Sequence, residues 1–416
     1  MVPVGLRTGT RSAARVEVTY VEGRPVVAVD VEPDVRKGAL TAVASETIVA
    51  GARTALAERI PFVAFLGSSG ADITEGVAAL HGWGAAARAL ADCSGVVPVI
   101  INVTGPAVSG PALLVGLADH VVMTDAAYAF VSGPAMVAEF TGVLVDINEL
   151  GGASAHARHS GVASLVVPDA DAARQATAAL LAYLPAHNDD EPPRWATDDP
   201  IDRPTPEAGE VLPPSPTGSY DIRRVMAAVV DDGEMLELRA RFAPNVVTAL
   251  ATIGGRPIGL VGNQPMSIAG TLDIPASQKA ARFVSFCDAF NLPIVTFVDT
   301  PGFYPGKDLE WRGMIRHGAQ LVFAYARASV PRIGVILRKS YGGAYIVMDS
   351  KRMGNDICLA WPTAEIAVMG ARQAAEILQR RASPEERSAF EADYDQRLLN
   401  PYVAAERGYI DGVIAP

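Results

Sequence analysis

The chain is written twice, and this duplication limits its fold more than any other feature. Gly23–Arg24–Pro25–Val26 recurs as Gly255–Arg256–Pro257–Ile258 (255 − 23 = 232). Pro61–Phe62–Val63–Ala64–Phe65, leading to Gly70, recurs as Pro293–Ile294–Val295–Thr296–Phe297, leading to Gly302 (293 − 61 = 232). Val97–Pro98, leading to Ser109–Gly110, recurs as Val330–Pro331, leading to Gly342–Gly343 (331 − 98 = 233). Three segments in one order at nearly constant spacing imply two repeats of one domain.

Between the repeats the composition changes. Asn188–Asp189–Asp190–Glu191–Pro192–Pro193 is followed by Pro200, Pro204, Pro206, Pro213, Pro214 and Pro216. Prolines at this density interrupt helices and central strands, so residues 186–219 read as an extended acidic connector between domains at 1–185 and 220–416. In each half, apolar runs alternate with alanine-rich stretches. Val26–Val29, Phe62–Leu66, Val99–Val103, Ile258–Val261, Ile294–Val298 and Ile333–Leu337 are expected strands. Thr47–Ile60, Val77–Cys93, Gln278–Phe290 and Met314–Ala328 are expected helices. Strands this apolar on both faces belong to a covered, mostly parallel sheet, so the class is α/β.

Several function classes are disfavoured. No apolar run reaches the roughly 18 residues of a membrane span, and Met1–Val16 has arginines but no apolar stretch of a secretory leader. A soluble, cytoplasmic protein is expected. A net charge of −11 offers no concentrated basic face for nucleic acid. Cys93, Cys287 and Cys358 stand far apart in apolar contexts and read as buried free thiols, with no zinc ribbon or disulfide framework.

In α/β domains ligands meet the carboxyl ends of the strands. Four glycine-rich turns stand there: Gly67–Ser68–Ser69–Gly70–Ala71–Asp72, Gly105–Pro106–Ala107–Val108–Ser109–Gly110, Asp299–Thr300–Pro301–Gly302–Phe303 and Lys339–Ser340–Tyr341–Gly342–Gly343–Ala344. Small residues let the backbone approach a ligand, and an N–H opening the next helix points outward. Two such N–H groups aimed at one oxygen form an oxyanion hole. A single turn of this kind is explained by tight strand-to-helix geometry. Four at matching positions of two repeats point to a site.

Gly262–Asn263–Gln264–Pro265, Phe297–Val298–Asp299–Thr300–Pro301–Gly302–Phe303, Ile315–Arg316–His317–Gly318–Ala319, Arg338–Lys339–Ser340–Tyr341–Gly342–Gly343–Ala344–Tyr345 and the run from Ala360 to Gly370 are long and distinctive. Through them, Asp221 to Ile414 resembles the carboxyltransferase (beta) subunits of propionyl-CoA and acetyl-CoA carboxylases. The resemblance implies two crotonase-like (ClpP/crotonase) domains of the ββα superhelix type, in a homohexamer or other homo-oligomer. It implies an acyl thioester, on coenzyme A or a carrier protein, held by the N-domain of one subunit. Carboxybiotin, presented by a separate biotin carboxylase/carrier subunit, is held by the C-domain of another, and no metal takes part. The biotin-side hole falls on Gly343 and Ala344, with Gly302, Phe303 and Gly342 around it. The acyl side falls on Ser109 and Gly110, with Gly70 and Ala71 beside them, and Tyr345 and Ile346 line the acyl pocket. Carboxybiotin would release CO2 and take the α-proton, and the thioester enolate would attack CO2.

The first half departs from that pattern. Its segment before the first repeat is shorter than in the family. Ser69–Gly70–Ala71–Asp72 stands for the usual Gly-Gly-Ala-Arg, and Ser109–Gly110–Pro111 for Gly-Gly-Ala. Pro111 has no N–H to offer, which leaves either Ser109 with Gly110 or Ala71 with Gly110 as the acyl-side pair. A hydratase of crotonase type would carry a glutamate three residues after Gly110; Leu113 stands there, against hydration. Ile346 removes a charge from the acyl pocket where the family varies between Asp and aliphatic residues. Two rivals to carboxyl transfer remain open on these departures: an acyl-thioester decarboxylase, and a non-catalytic assembly subunit with a decayed acyl site. His156 and His159 lack further ligands at metal spacing and read as structural, and His317 as a packing or interface residue. Lys339 is either an anion attractor or a solvated charge. Trp361 and Glu365 are expected to shape the wall of the site.

Overall fold

The computed structural model describes residues 12–416. The chain divides into a first unit running to Pro193, joined by Ala289–Asn291, and a second made of Arg194–Asp288 and Leu292–Pro416.

In the first unit, β1 (Ala14–Val21) and β2 (Arg24–Val31) pair antiparallel. Glu22 and Gly23 join them with φ of 46° and 76°, the positive pair that a two-residue hairpin needs to match the twist of its strands. Then follow α1 (Ala42–Glu58), β3 (Phe62–Ser68), α2 (Val77–Cys93), β4 (Val99–Val108), β5 (His120–Thr124), β6 (Tyr128–Phe130), β7 (Leu165–Val167) and α3 (Ala170–Tyr183). From β2 onward the pairing is parallel, in the order β1-β2-β3-β4-β5-β7, with β6 on the far end of β4. Thr41 caps α1 by accepting from the Ala44 N–H at 3.0 Å, and left-handed Arg59 (φ 56°) ends it. Small residues seat the helices closely: a Cβ on Gly51 would lie 2.7 Å from Val29 Cγ2, and one on Gly82 would lie 2.9 Å from Ser45 Cβ.

The second unit adds α4 (Pro206–Glu210), α5 (Ile222–Val229) and β8 (Met235–Glu237) ahead of the repeated pattern. That pattern comprises β9 (Val246–Ile253), β10 (Arg256–Asn263), α6 (Ile274–Ala289), β11 (Ile294–Thr300), α7 (Met314–Arg327), β12 (Arg332–Tyr341), α8 (Gly342–Val347), β13 (Ile357–Ala360), β14 (Glu365–Ala367) and β15 (Gly412–Val413). Its sheet runs β15-β13-β12-β11-β10-β9-β8, with β14 on β12. Every strand and helix named from the sequence is present, Val77–Cys93 with the ends expected and the others with shifted ends.

The duplication reaches the backbone angles. Arg36, Lys37 and Gly38 have φ of 50°, 55° and 67°, and Ile268, Ala269 and Gly270 have 40°, 55° and 71° (268 − 36 = 232). Three consecutive left-handed residues are costly for L-amino acids. The glycine closing each run admits a strand-end carbonyl, of Gly67 or Asp299, where a Cβ would collide.

The connector differs from the extended segment expected over 186–219. Its part from Arg194 folds onto the second unit. The Trp195 N–H donates to Gly255 O at 2.8 Å. Arg203 donates to Ala228 O (2.9 Å) and Val230 O (3.0 Å), filling carbonyls at the C-terminal end of α5. Ala208 and Val211 are 1% and 9% exposed and join the core beneath α5. Scattered apolar residues and one well-placed arginine thus outweigh the prolines. Among the described residues no helix is long and apolar enough to cross a membrane.

Candidate active site

The glycine-rich turns do come together within each unit. In the first, Gly70 (φ 107°) follows β3, and a Cβ there would lie 3.0 Å from Val108 O and 3.1 Å from Ser109 Cβ. Ala71 forms a single parallel bridge with Leu40. The Leu40 N–H donates to Gly70 O at 2.8 Å, and the Asp72 N–H donates to Leu40 O at 3.0 Å. This pattern turns the N–H of Ala71 itself away from Leu40. The second unit repeats it: the Leu272 N–H donates to Gly302 O at 3.1 Å, and the Tyr304 N–H donates to Leu272 O at 2.8 Å. Phe303 therefore stands where Ala71 does (303 − 71 = 272 − 40 = 232).

Beyond β4, Ser109 has φ 65° and its N–H donates to Phe130 O at 2.9 Å. That amide is committed, which corrects the expectation that Ser109 is a free donor. Gly110 opens a short helical turn, where the first N–H groups have no intrahelical partner. In the second unit, Gly342 (φ 57°) leads into α8, so Gly343 and Ala344 lie in its first turn. A Cβ on Gly343 would lie 3.3 Å from the Phe303 ring. The N–H groups of Ala71, Gly110, Phe303 and Gly343 have no hydrogen-bond partner among the described residues. Ala344 is fully buried. Gly302 (φ 141°) is glycine for its backbone angle, since a Cβ there would meet nothing.

A cavity of about 640 Å³ opens beside α8, lined by Gly342, Gly343, Tyr345 and Ile346 together with Ile366, Val368 and Tyr409. Four residues singled out from the sequence thus share one mostly apolar chamber.

Two charge arrangements surround these turns. Asp72 accepts from the Thr74 hydroxyl (2.6 Å) and the Thr74 N–H (2.9 Å), and pairs with Arg36 at 2.6 Å. These bonds, led by the Thr74 hydroxyl, hold its carboxyl below the usual range. The acidic residue found where the family has arginine is therefore matched by a cation from the left-handed turn. In the second unit, Asp299 accepts from Tyr220 OH (2.8 Å), Arg338 Nε (3.0 Å) and the Lys339 N–H (3.1 Å). Arg338 also donates to Gly218 O at 2.9 Å. Burial pushes the Asp299 carboxyl up, and Arg338 pulls it back. This clamp ties the ends of β11 and β12 together beneath Phe303 and Gly343. The sequence reading missed it; the available signal was an Asp and an Arg where the first repeat has Gly67 and Gly105.

The remaining candidates fall elsewhere. His156 is bonded through Nδ1 to Ser160 Oγ and through Nε2 to Ala129 O, both at 2.7 Å. His317 sits on α7 beside Gln278 and Gln320. Trp361 is buried in the core of the second unit. Glu365 accepts from Tyr341 OH, and burial pushes its carboxyl up. Among the described residues no cluster of His, Cys, Asp or Glu is placed to hold a metal ion.

Residues 18–416 match the family model described as the carboxyl transferase domain. The chain belongs to the carboxyl transferase family. This carboxyl transferase is 44% identical over 415 residues to the propionyl-CoA carboxylase beta chain of Saccharopolyspora erythraea, an alignment covering 95% of this chain and 76% of that one. It is 42% identical over 400 residues to the methylmalonyl-CoA carboxyltransferase 12S subunit of Propionibacterium freudenreichii, with the same coverage. The solved transcarboxylase 12S structure, a hexamer described with methylmalonyl-coenzyme A bound, superposes with a TM-score of 0.95 at 41% identity, covering 97% of this chain and 79% of that one. Both units of the carboxyl transferase have the crotonase-like α/β fold. It is an enzyme of the transferase class.

Proposed function

We propose that this enzyme moves a carboxyl group between biotin, carried on a separate protein, and the α-carbon of an acyl-CoA. The observation that carries the reading is the repeated pair of amides left without a hydrogen-bond partner among the described residues: Ala71 with Gly110 in the first unit, Phe303 with Gly343 in the second. The first pair would hold the thioester oxygen of the acyl group as it takes on enolate charge. The second would hold the ureido oxygen of biotin. Preorganised backbone donors of this kind lower a barrier without titrating, so no side-chain nucleophile is required.

The chamber beside Gly343 suits both reactants. Its apolar walls have room for a fused bicyclic ring, with Gly343 on hand for one polar oxygen, and Tyr345 and Ile346 would bound the acyl group. Carboxylated biotin supplies CO2 and, once decarboxylated, a base for the α-proton. The chain's own part is to orient the two oxygens and to line the chamber with groups that exclude water. The likeness to the hexameric 12S structure supports a homo-oligomer, and three buried thiols suit a reducing compartment such as the cytoplasm.

The test supplies a biotin carrier protein bearing labelled carboxyl groups, with acetyl-, propionyl- and butyryl-CoA in turn. Label should move to the α-carbon of at least one. Failure to label any acyl-CoA, with the carrier retaining its label, would sink the reading. Release of CO2 from methylmalonyl-CoA without a biotin acceptor would favour decarboxylation instead; a relative 41% identical is the methylmalonyl-CoA decarboxylase subunit alpha of Veillonella parvula.

A further inference from the structure

The amide at Gly110 and the amide at Gly343 differ in how firmly their own chain holds them. The Gly110 N–H belongs to a peptide flanked by Ser109, with Pro111 next in sequence, and the proline ring fixes the backbone that follows. The Gly343 N–H belongs to the peptide between Gly342 and Gly343. A glycine on each side leaves that peptide with the greatest freedom to rotate. A donor that must meet an oxygen in a set direction then needs bracing from outside.

The second unit supplies such a brace. A Cβ on Gly342 (φ 57°) would lie 3.1 Å from Val368 O, and one on Gly343 would lie 3.3 Å from the Phe303 ring. A carbonyl and a ring thus crowd the peptide, and the residue ahead of it is held by its side chain. Tyr341 is the last residue of β12, and Lys339 and Tyr341 pair in register with Glu365 and Ala367 of β14. Residues two apart on a strand share a face, and the Tyr341 hydroxyl reaches back along it to donate to Glu365. The ring is buried in a cluster with Ala374, Tyr394 and Leu399. A Cβ on Gly370 would lie 3.4 Å from its Cε2. Tyr341 is therefore packed along its ring and tied at its tip. Among the described residues the first unit has no counterpart to this tie. The register of β4 on β6 puts Val108 in the place of Tyr341 and Tyr128 in that of Glu365, and valine has no hydroxyl to donate.

We infer that Tyr341 and Glu365 are positioning residues for the Gly343 donor. Their hydrogen bond fixes the last residue of β12 and so aims the peptide between Gly342 and Gly343 at the oxygen that gains charge. The inference rests on the reading of Gly343 as an oxyanion donor.

The test uses the full chain, a carboxylated biotin carrier and the acyl-CoA that the unaltered chain labels, with folding followed by circular dichroism. Tyr341→Phe keeps the packed ring and removes the hydroxyl; it should lower kcat about tenfold and leave the KM for the acyl-CoA unchanged. Glu365→Leu should do the same. Glu365→Gln, which keeps an oxygen for the hydroxyl, should recover most of that loss. The double variant Tyr341→Phe with Glu365→Leu should be no slower than either single one, because one bond is lost only once. Wild-type kcat in folded Tyr341→Phe would overturn the inference. So would Glu365→Gln as slow as Glu365→Leu, multiplied losses in the double variant, or a raised KM at constant kcat. An unaltered chain that labels no acyl-CoA would be a separate result, removing the reading beneath the inference.

Discussion

Removing the Gly110 N–H is the sharpest test of the acyl-side hole, and the structure supplies its own control. A Cβ at Gly110 would lie 2.9 Å from Trp83 Cζ2 and 3.2 Å from Cε2, so any substitution presses on the indole. Overpacking of this kind costs about 1–3 kcal/mol of stability. Gly110→Ala and Gly110→Pro both bring that Cβ, but only proline deletes the amide hydrogen. Gly110 lies outside the left-handed region and opens a helical turn, a position that accepts proline. The difference between the two variants therefore isolates one donor, typically about 3 kcal/mol of transition-state stabilisation, or 100- to 1000-fold in kcat. The assay is transfer of labelled carboxyl groups from a biotin carrier to propionyl-CoA, with folding followed by circular dichroism. Equal kcat for the two folded variants would refute the assignment of Gly110 as an oxyanion donor.

Three further outcomes follow from buried groups. Arg338→Met should cost about 3–5 kcal/mol in denaturant unfolding, because it strands Asp299 in a buried site; Asp299→Leu combined with Arg338→Met should cost less than either change alone. Lys279 donates from Nζ to Arg239 O and Phe242 O, each at 2.9 Å, and burial pushes it down to about 7 from 10.5. Between those values the unfolded chain binds the extra proton, so Lys279 makes stability rise with pH from about 7 to 10.5; in Lys279→Met the unfolding midpoint should rise less over that window. The thiols of Cys93 and Cys358 are pushed up to about 12, and that of Cys287 well above its usual value, chiefly by burial. None should react with a disulfide reagent in the native protein at pH 8, and all should react in denaturant; a titratable native thiol would contradict their placement.

The parts of this molecule legible in its sequence are those whose physics is local or repeated. Gly70 is required by backbone angle and close approach, and its counterpart Gly302 returns 232 residues on. Alignment of the repeats therefore located that turn without any coordinates, whereas the left-handed runs closed by Gly38 and Gly270 emerged only from the backbone angles. What the sequence did not disclose depends on partners brought from a distance. The Ser109 amide is taken by Phe130 only because β6 adds to the far end of β4. The connector past Arg194 folds because Arg203 finds the end of α5. Asp299, Arg338 and Tyr220 form a clamp that no local pattern announces. Yet the repeat itself holds a clue to that clamp. In the first unit Gly105 lets the backbone come within 3.5 Å of Gly67 Cα, measured from an added Cβ, so bare backbone closes the gap that an ion pair spans in the second. A duplicated fold thus lets each half serve as the other's reference. Where both halves keep a residue, the fold requires it; where they diverge, as at Asp299 and Arg338 against Gly67 and Gly105, each half closes its strand ends in its own way.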